Sequence, residues 1–273
     1  MTAKALILAG YGLNCEEETA FAFNYNGLNA QIIHINDLIE NKQELETAQI
    51  LAIPGGFSYG DDTGAGNAYA QKLKLSLMEE LKSFVERDTL TIGICNGCQI
   101  LTNLGLTPTK DTNYGERITA VTYNEKARYQ CRWIDVKITN NSPWLQGVDT
   151  MHIPVAHGEG RFMMEDETLQ SIKDNNQIAA IYTKDGETAN GEFPYNPNGS
   201  VADIAALTDP SGRVLAMMPH PERGMLTTQR DDYMQIKDAA HRNGSTSSET
   251  ADGMTLFSNA AMYFEVKLQK QYV

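Results

Sequence analysis

The pentapeptide Gly93-Ile94-Cys95-Asn96-Gly97 has the pattern of a nucleophile elbow, with cysteine in the nucleophile position. It follows the apolar run Thr91 to Ile94 and precedes a segment with helical spacing. Because a sharp strand-to-helix turn crowds the backbone, small residues must flank the nucleophile. At a helix N-terminus, free N–H groups and the helix dipole stabilise a thiolate. The pattern predicts that Cys95 is a nucleophile, and a buried structural cysteine is the alternative.

Cys95 and Cys98 also form a C-x-x-C at the start of a predicted helix, which is typical of thiol–disulfide exchange proteins. That alternative needs neither Gly93 nor the acid–base residues described next. We therefore expect Cys98 to be a packed residue of the first helical turn.

The segment Met218-Pro219-His220-Pro221-Glu222-Arg223 supplies a candidate base. The two prolines restrict the backbone on both sides of His220 and so hold its direction. In an extended segment, Glu222 lies on the same side as His220 and can orient the imidazole. By contrast, His34 and His152 lie in strand-like runs and His241 in a polar segment. His220 is therefore the predicted base and Glu222 its partner.

Elements that could position these residues follow from the alternation of apolar runs with helical segments. Buried strands are predicted at Ala5 to Ala9, Gln31 to Ile35, Gln49 to Ile53 and Thr91 to Ile94, with helices near 16 to 26, 66 to 87 and 96 to 104. From Cys131 onward the pattern changes: residues 132 to 138 alternate polar and apolar side chains, which predicts a strand with one solvated face. Further strands are predicted at 151 to 155, 177 to 182, 201 to 207 and 213 to 218. The fold class is α/β: a doubly wound, mostly parallel sheet with an additional antiparallel region.

Glycine- and proline-rich clusters follow several predicted strands. Open α/β sheets bind ligands at the carboxyl ends of their strands. Four clusters fall at such ends: Gly10-Tyr11-Gly12, Pro54-Gly55-Gly56, the Cys95 elbow and Pro219 to Glu222. Gly55 and Gly56 could present backbone N–H groups as an oxyanion hole, and an ordinary turn is the alternative.

The chain is predicted to form one domain over residues 1–273, with an insertion at 227–254 before a closing helix at Met254 to Gln271. Within the insertion, Asp231 to Arg242 has helical spacing, whereas Asn243 to Gly253 is rich in small polar residues and predicted to be flexible. The insertion begins close to His220. It could contact a partner, cover the substrate entrance, or be a solvated excursion.

Composition narrows the classes of function. With 22 Lys plus Arg against 35 Asp plus Glu, the 273-residue chain has a net charge of -13. That sign disfavours binding to nucleic acids and to anionic membranes. No apolar run is long enough to span a membrane, and the first run is too short and wrongly flanked for a signal peptide. Four cysteines make no disulfide framework in a chain of this length, so a cytoplasmic location is expected.

Longer motifs make the chain resemble the class I glutamine amidotransferases, which have a flavodoxin-like sheet, and in particular the glutaminase subunits of phosphoribosylformylglycinamidine synthase. The general signature is the Cys95 elbow ending in Gln99, with a late His-x-Glu. More specific matches are Pro54-Gly55-Gly56-Phe57-Ser58-Tyr59-Gly60-Asp61, Cys131-Arg132-Trp133, His157-Gly158-Glu159-Gly160-Arg161-Phe162 and Met217 to Arg223. The resemblance covers nearly the whole chain.

The resemblance implies a role for individual residues. Cys95 is the nucleophile, His220 the base and Glu222 its orienting partner. The backbone N–H groups of Gly56 and Asn96 form the oxyanion hole. Glutamine is held with the help of Gln99, His157, Gly158 and Glu159. No metal ligand is implied.

The resemblance also implies a reaction and a partner. Glutamine is hydrolysed to glutamate and ammonia, and the ammonia passes to an ATP-dependent synthetase subunit, in a complex that can hold a small third subunit. Because the chain has no convincing phosphate-binding loop, no cofactor is expected on it, and ATP and Mg are expected on the partner. Three alternatives remain: an amidotransferase for another acceptor, a stand-alone cysteine hydrolase and a non-enzymatic regulatory subunit.

Overall fold

The protein is described here by a computed structural model that covers residues 2–271, with the backbone alone for residues 266–271. Residues 1, 272 and 273, which the one-domain prediction included, lie outside the described residues. The strands are β1 (Lys4–Ala9), β2 (Asn29–His34), β3 (Ile50–Ile53), β4 (Leu90–Ile94), β5 (Ala120–Tyr123), β6 (Gln130–Ile138), β7 (Thr150–His157), β8 (Glu159–Met163), β9 (Ile178–Lys184), β10 (Glu187–Thr188), β11 (Ile204–Thr208) and β12 (Val214–Met217). The helices are α1 (Glu16–Tyr25), α2 (Ile35–Glu40), α3 (Gln43–Thr47), α4 (Asn67–Glu86), α5 (Asn96–Leu104), α6 (Asp166–Asp174), α7 (Tyr233–Arg242) and α8 (Met254–Gln271).

One large sheet organises these elements in the order β2-β1-β3-β4-β12-β11-β9-β6-β7, with β10 paired to β9. The first five strands in this order are parallel to one another. The strands from β11 onward pair antiparallel. The parallel half has the strand order of flavodoxin-like folds, so the predicted fold class is confirmed.

The parallel strands are buried on both faces because helices cover both sides of the sheet. In β1, the consecutive residues Leu6, Ile7 and Leu8 are all fully buried, although neighbouring side chains point to opposite faces. Helix α1 packs against α8 through the edge-to-face pair Phe23 and Phe257, whose ring centroids are 5.0 Å apart. Full burial of a side chain of this size contributes roughly 1.5–3 kcal/mol. The apolar core thereby fixes the sheet rigidly beneath the loops that leave its edge.

Loops at the carboxyl edge of the parallel strands are tied to one another. An antiparallel bridge joins Leu13, after β1, to Gly56, after β3. The amide of Cys95, after β4, donates to the carbonyl of Met217 at the end of β12 at 2.8 Å. The segments that follow four adjacent strands therefore meet at one edge, as the positions of the sequence clusters predicted.

Several elements differ from the sequence prediction. Strands β5 and β8 pair only with each other in a separate two-stranded sheet, and together with helices α2, α3 and α6 they were not predicted. The strand predicted at 201 to 207 begins at Ile204, because Val201–Asp203 forms a 3-10 turn in which Ala202 has φ 50°. These elements are short, so each offers few positions from which a periodicity can be established.

The insertion at 227–254 is closed at its base by backbone pairing. Leu226 bridges Thr250, the amide of Ala251 donates to the carbonyl of Met225, and the amide of Gly253 donates to that of Gly224. Residues 249–253 are therefore paired, and the prediction of a flexible segment through Gly253 was wrong at that end. The predicted helix is confirmed as α7, which buries none of its residues.

His152 on β7 attaches this insertion to the sheet. Its ring stacks on Trp133 with a centroid separation of 5.2 Å, and its Nδ1 lies 2.7 Å from the Asp135 carboxylate. Its Nε2 lies 2.9 Å from Asp231, and its amide donates to Asp252 at 2.7 Å. The hydrogen bond to Asp135 raises the pKa of His152 to about 9 against the effect of burial, with a further contribution from Asp231. The imidazolium therefore joins two carboxylates, one of which belongs to the insertion.

Among residues 2–271, no helix combines the length and the apolar composition needed to cross a membrane.

We predict that His152→Ala loosens the insertion without unfolding the sheet. Since both carboxylates are more than half exposed, the free energy of local opening should fall by only about 1 kcal/mol. In the wild type, this stabilisation is fully present below pH 6.5, where the unfolded-state histidine is also protonated, and is lost as the pH rises through about 9. Hydrogen exchange of the amides of residues 249–253 measures the opening.

The control is His241→Ala, which removes an exposed histidine from α7 within the same insertion. It should leave the exchange rates and their pH dependence as in the wild type. The comparison uses protection factors, because base catalysis accelerates amide exchange in every variant as the pH rises. The assignment would be contradicted if the protection factors of His152→Ala still fell between neutral pH and pH values above about 9 as they do in the wild type.

Candidate active site

Cys95 occupies a sharp turn between β4 and α5, with φ 51° and ψ −104°. A non-glycine residue with positive φ is strained, and such strain is typical of residues held for function. The flanking glycines permit the turn. A β-carbon on Gly97 would lie 1.8 Å from the carbonyl oxygen of Ile53, and one on Gly93 would lie 2.4 Å from the carbonyl oxygen of Gly97. The elbow therefore requires glycine at both positions, because the backbone of β3 passes directly beside it.

The two cysteines of the C-x-x-C have different surroundings. The thiol of Cys95 directs its proton towards the carbonyl oxygen of Ala156, 3.7 Å away, at the N-terminus of α5. Cys98 is fully buried in the core, and burial raises its pKa well above the usual value. A thiol that resists ionisation is a poor partner in disulfide exchange, so the structure disfavours the redox alternative.

His220 and Glu222 form a buried hydrogen-bonded pair, with Nδ1 of His220 2.5 Å from Oε1 of Glu222. Their side chains are 2% and 0% exposed. The backbone of His220 is held by its amide, which donates to the carbonyl of Pro154 at 2.8 Å. Nε2 of His220 has no hydrogen-bond partner among the described residues, so it is the ring nitrogen left to exchange a proton with a reacting group.

The route by which Glu222 reaches His220 differs from the prediction. Pro221–Arg223 forms a 3-10 turn, so the expectation of an extended segment was wrong. Proline favours the first position of a helical turn because its φ is already suitable and its missing N–H is not needed there. The turn brings the carboxylate back towards the imidazole two residues earlier.

Opposing effects set the protonation of His220. Burial lowers its pKa, but the charge of Glu222 and the thiols of Cys95 and Cys15 raise it, and its pKa lies well above the usual value. The ring is therefore stabilised as an imidazolium between a carboxylate and the sulfur atoms. An imidazolium beside the sulfur of Cys95 is the arrangement of a cysteine nucleophile and its acid–base partner.

Gly56 lies three residues beyond the end of β3, and Asn96 directly follows Cys95 in the elbow. The bridge between Leu13 and Gly56 uses the amides of Asn14 and Phe57, not the amide of Gly56. A β-carbon on Gly56 would lie 2.4 Å from the carbonyl oxygen of Gly12, so only glycine fits. Asn96 is the first residue of α5, where an amide has no intrahelical acceptor. Both backbone N–H groups are thus candidates for an oxyanion hole.

Gln99 and Glu159 belong to one polar network with the side chain of Asn96. Asn96 donates to Oε1 of Gln99 at 2.7 Å, and Gln99 donates to the carbonyl of Glu159 at 2.5 Å. The carboxylate of Glu159 accepts from the amide of Ala65 at 3.2 Å. The amide of Gln99 is therefore committed at both ends, and it fixes the first turn of α5 to the start of β8.

His157 and Gly158 connect β7 to β8. His157 is buried, and its Nδ1 lies 3.1 Å from Oδ1 of Asn124. Asn124 uses its amide nitrogen to donate to the carbonyls of His157 and Arg128, so its oxygen accepts and Nδ1 of His157 carries the proton. Burial, with the nearby charge of His220, lowers the pKa of His157 to about 3. His157 is a neutral acceptor at Nε2, an atom that has no partner among the described residues.

Three residues at this edge of the sheet were not singled out from the sequence. Asp61 lies 3.4 Å from the Asn96 amide nitrogen, and burial, with the charge of Glu159, raises its pKa to about 6. Asn124 orients His157. Cys15 lies beside His220 and Glu222. Cys15 follows Gly10-Tyr11-Gly12, so its position after β1 was a sequence signal that could have identified it. No sequence signal pointed to Asn124.

Comparison with known proteins gives consistent results. Residues 2–264 match the family described as the CobB/CobQ-like glutamine amidotransferase domain. A phosphoribosylformylglycinamidine synthase subunit PurQ from Methanococcus maripaludis is 46% identical over 264 residues, covering 96% of this chain and 97% of that protein. A PurQ from Dehalococcoides mccartyi is 38% identical, covering 95% and 97% of the two chains.

Solved structures agree with the sequence comparison. A chain in the structure of PurLQS from Thermotoga maritima has a TM-score of 0.69 at 26% identity, covering 97% of this chain and 100% of its own. A glutamine amidotransferase from the same organism, at 13% identity and a TM-score of 0.51, shares the fold. With the elbow and the His–Glu pair at one sheet edge and relatives matched along their full length, this chain belongs to the glutamine amidotransferase family, within the PurQ subunits of phosphoribosylformylglycinamidine synthase.

Proposed function

We propose that this chain is the glutaminase subunit of a phosphoribosylformylglycinamidine synthase and hydrolyses glutamine through Cys95, His220 and Glu222. The observation that carries the proposal is the buried His220–Glu222 pair, 2.5 Å apart, at the sheet edge where Cys95 occupies a strained elbow. The PurQ relatives, which match nearly the full chain, support the assignment.

In the proposed reaction, Sγ of Cys95 bonds to the side-chain amide carbon of glutamine. Charge develops on the amide oxygen, where the backbone N–H groups of Gly56 and Asn96 stabilise it. The carbon–nitrogen bond then breaks as Nε2 of His220 donates a proton to the departing ammonia. His220 next activates a water molecule, which hydrolyses the thioester, releasing glutamate and restoring Cys95. Glu222 holds the imidazole and stabilises its positive charge throughout.

Gln99, His157, Gly158 and Glu159 are proposed to form the wall that holds glutamine. Gln99 acts by fixing the loop, since both ends of its amide are engaged by Asn96 and by the backbone of Glu159. His157 offers a neutral acceptor and Glu159 a carboxylate, and both suit the α-ammonium group of an amino acid.

The proposed partner is the ATP-dependent synthetase subunit, which receives ammonia and makes formylglycinamidine ribonucleotide, in a complex that can include a small third subunit. ATP and Mg would bind to the synthetase. Support comes from the likeness to a chain of PurLQS and from exposed aromatic side chains on loops at the sheet edge, which suit a protein interface: Tyr11, Phe57, Tyr59 and Tyr129. Contact between the insertion and this partner stays a prediction.

The proposed location is the cytoplasm, where purine synthesis takes place and thiols remain reduced. The four cysteines are all free, which suits such a compartment.

A glutaminase assay separates this proposal from its alternatives. The chain is assayed alone and then with the synthetase, ATP and formylglycinamide ribonucleotide. Stimulation by that partner and acceptor supports the proposal. Strong activity without any partner favours a stand-alone hydrolase. Stimulation only by another synthetase favours an amidotransferase for another acceptor. Inactivity under every condition favours a regulatory subunit.

We predict that a glutamine-like electrophile labels Cys95 and spares Cys15, Cys98 and Cys131. Of these, Cys131 is the exposed thiol, so accessibility alone would direct the label there. Peptide mapping after labelling identifies the modified residue, and an excess of glutamine should protect Cys95. Label found mainly on Cys131 or Cys98, with Cys95→Ser still active, would overturn the assignment.

We predict that His220→Ala and Glu222→Ala differ in severity. A general acid–base group contributes roughly 100- to 10,000-fold, so His220→Ala should lose at least a hundredfold in kcat. Glu222→Ala leaves an imidazole that is present but no longer held, and it should lose less. Steady-state glutaminase assays measure both, with circular dichroism to confirm folding. Near-wild-type turnover in His220→Ala would rule out the triad.

A further inference from the structure

A second buried thiol, that of Cys15, lies against the proposed triad. Ligand-type atoms of Cys15, His220 and Glu222 lie within 4.8 Å of one another. Both the sulfur and the imidazole rest on the backbone of Gly55, where a β-carbon would lie 3.1 Å from Sγ of Cys15 and 2.7 Å from Cε1 of His220. Cys15 is fully buried, and its amide donates to the carbonyl of Gly55 at 3.3 Å. The thiol is therefore held in one place beside the catalytic pair.

The sulfur of Cys15 accepts a hydrogen bond from Arg223. Nη2 of Arg223 lies 2.9 Å from Sγ, while the thiol proton is directed to Oδ1 of Asn14 at 3.3 Å. Burial raises the pKa of Cys15 and outweighs the opposing effects of the neighbouring His220 and Arg223, so the sulfur is a neutral thiol that donates one bond and accepts another. A guanidinium pointing at the sulfur also disfavours a cation bound between Cys15, His220 and Glu222.

The position of the guanidinium matters because Arg223 directly follows Glu222. Its Nε lies 4.0 Å from Oε1 of Glu222 and 3.7 Å from Oε1 of Glu18. At 4.0 Å the positive charge stabilises the buried carboxylate without forming a normal hydrogen bond to it. A guanidinium that moved closer would form a bidentate pair with Glu222 and compete for the oxygen that holds Nδ1 of His220.

We propose that Cys15 is a positioning residue: its sulfur holds the Arg223 guanidinium at a distance from which it stabilises Glu222 but leaves Oε1 to His220. The proposal rests on the proposed roles of His220 and Glu222 in the triad. Cys15 acts through Arg223 and takes no part in bond making or breaking.

Cys15→Ala removes the acceptor and frees Arg223 to pair with Glu222. Glutaminase kcat should fall about tenfold to a hundredfold, as expected when a catalytic group is displaced by about 1 Å. KM for glutamine should stay within about threefold of the wild-type value, because the residues that hold glutamine are unchanged. His220 must be an imidazolium to protonate ammonia, and a Glu222 neutralised by Arg223 supports that charge less. The alkaline limb of kcat against pH should therefore move to lower pH.

A double-mutant cycle with Arg223→Met tests whether the sulfur acts through the guanidinium. In the Arg223→Met background no guanidinium can displace His220, so adding Cys15→Ala should change kcat and the pH profile little. Cys15→Ser, which keeps an acceptor at this position, should retain most of the activity. If Cys15→Ala does not fold, Cys15→Val replaces it in the same cycle.

Thr19→Val is the matched control, because Thr19 is buried one turn along α1 and donates to the backbone carbonyl of Cys15, not to its sulfur. It should lower stability and leave the pH profile unchanged. The proposal would be overturned if the Cys15 variants kept the wild-type kcat and pH profile. It would also be overturned if the losses in kcat from Cys15→Ala and Arg223→Met were additive, or if Cys15→Ser lost as much activity as Cys15→Ala. Full activity of His220→Ala would instead overturn the triad itself.

Discussion

The carbonyl oxygen of Ile53 lies so close to Gly97 that a β-carbon there would approach it to 1.8 Å, and this contact sets the geometry of the whole site. It presses the end of β3 against the first turn of α5. The candidate oxyanion donor Gly56, which follows β3, is thereby held at a fixed distance from the turn that carries Cys95. Positive φ at Cys95 is the local cost of the arrangement, of order 1–3 kcal/mol, and the buried sheet offsets it.

Because they are buried, the charged side chains of the site depend on one another for stabilisation. Glu222 is fully buried, so its charge is tolerable only beside the His220 imidazole and within reach of the Arg223 guanidinium. The same low-polarity surroundings strengthen each of these interactions. A site of this kind works as a unit, since removal of one charge leaves the others unpaired. It also explains why contacts behind the triad, such as that between Cys15 and Arg223, bear on the chemistry.

Sequence reasoning recovered the parts of the structure that follow local rules. The apolar runs located β1, β3, β4 and β12, because strands buried on both faces leave a continuous apolar signature. The glycines around Cys95 marked the elbow, since the pattern that identifies it lies within five consecutive residues, although the contact that requires Gly97 is made by Ile53 of β3. Contacts between distant segments left no such mark. His152 meets Asp231 across 79 residues, and Arg223 meets Cys15 across 208, and neither pair has a spacing that periodicity could reveal.

The pairing of Glu222 with His220 shows how a correct partner can follow from incomplete geometry. In an extended segment both side chains would lie on one side, whereas Pro221 begins a 3-10 turn. Either backbone brings residues two apart within reach, but only the turn directs the next residue, Arg223, towards α1 and the sulfur of Cys15. A strand would have pointed Arg223 to the opposite face from Glu222. The turn therefore places the Arg223 guanidinium beside the Glu222 carboxylate, and through Cys15 it connects the triad to the start of α1.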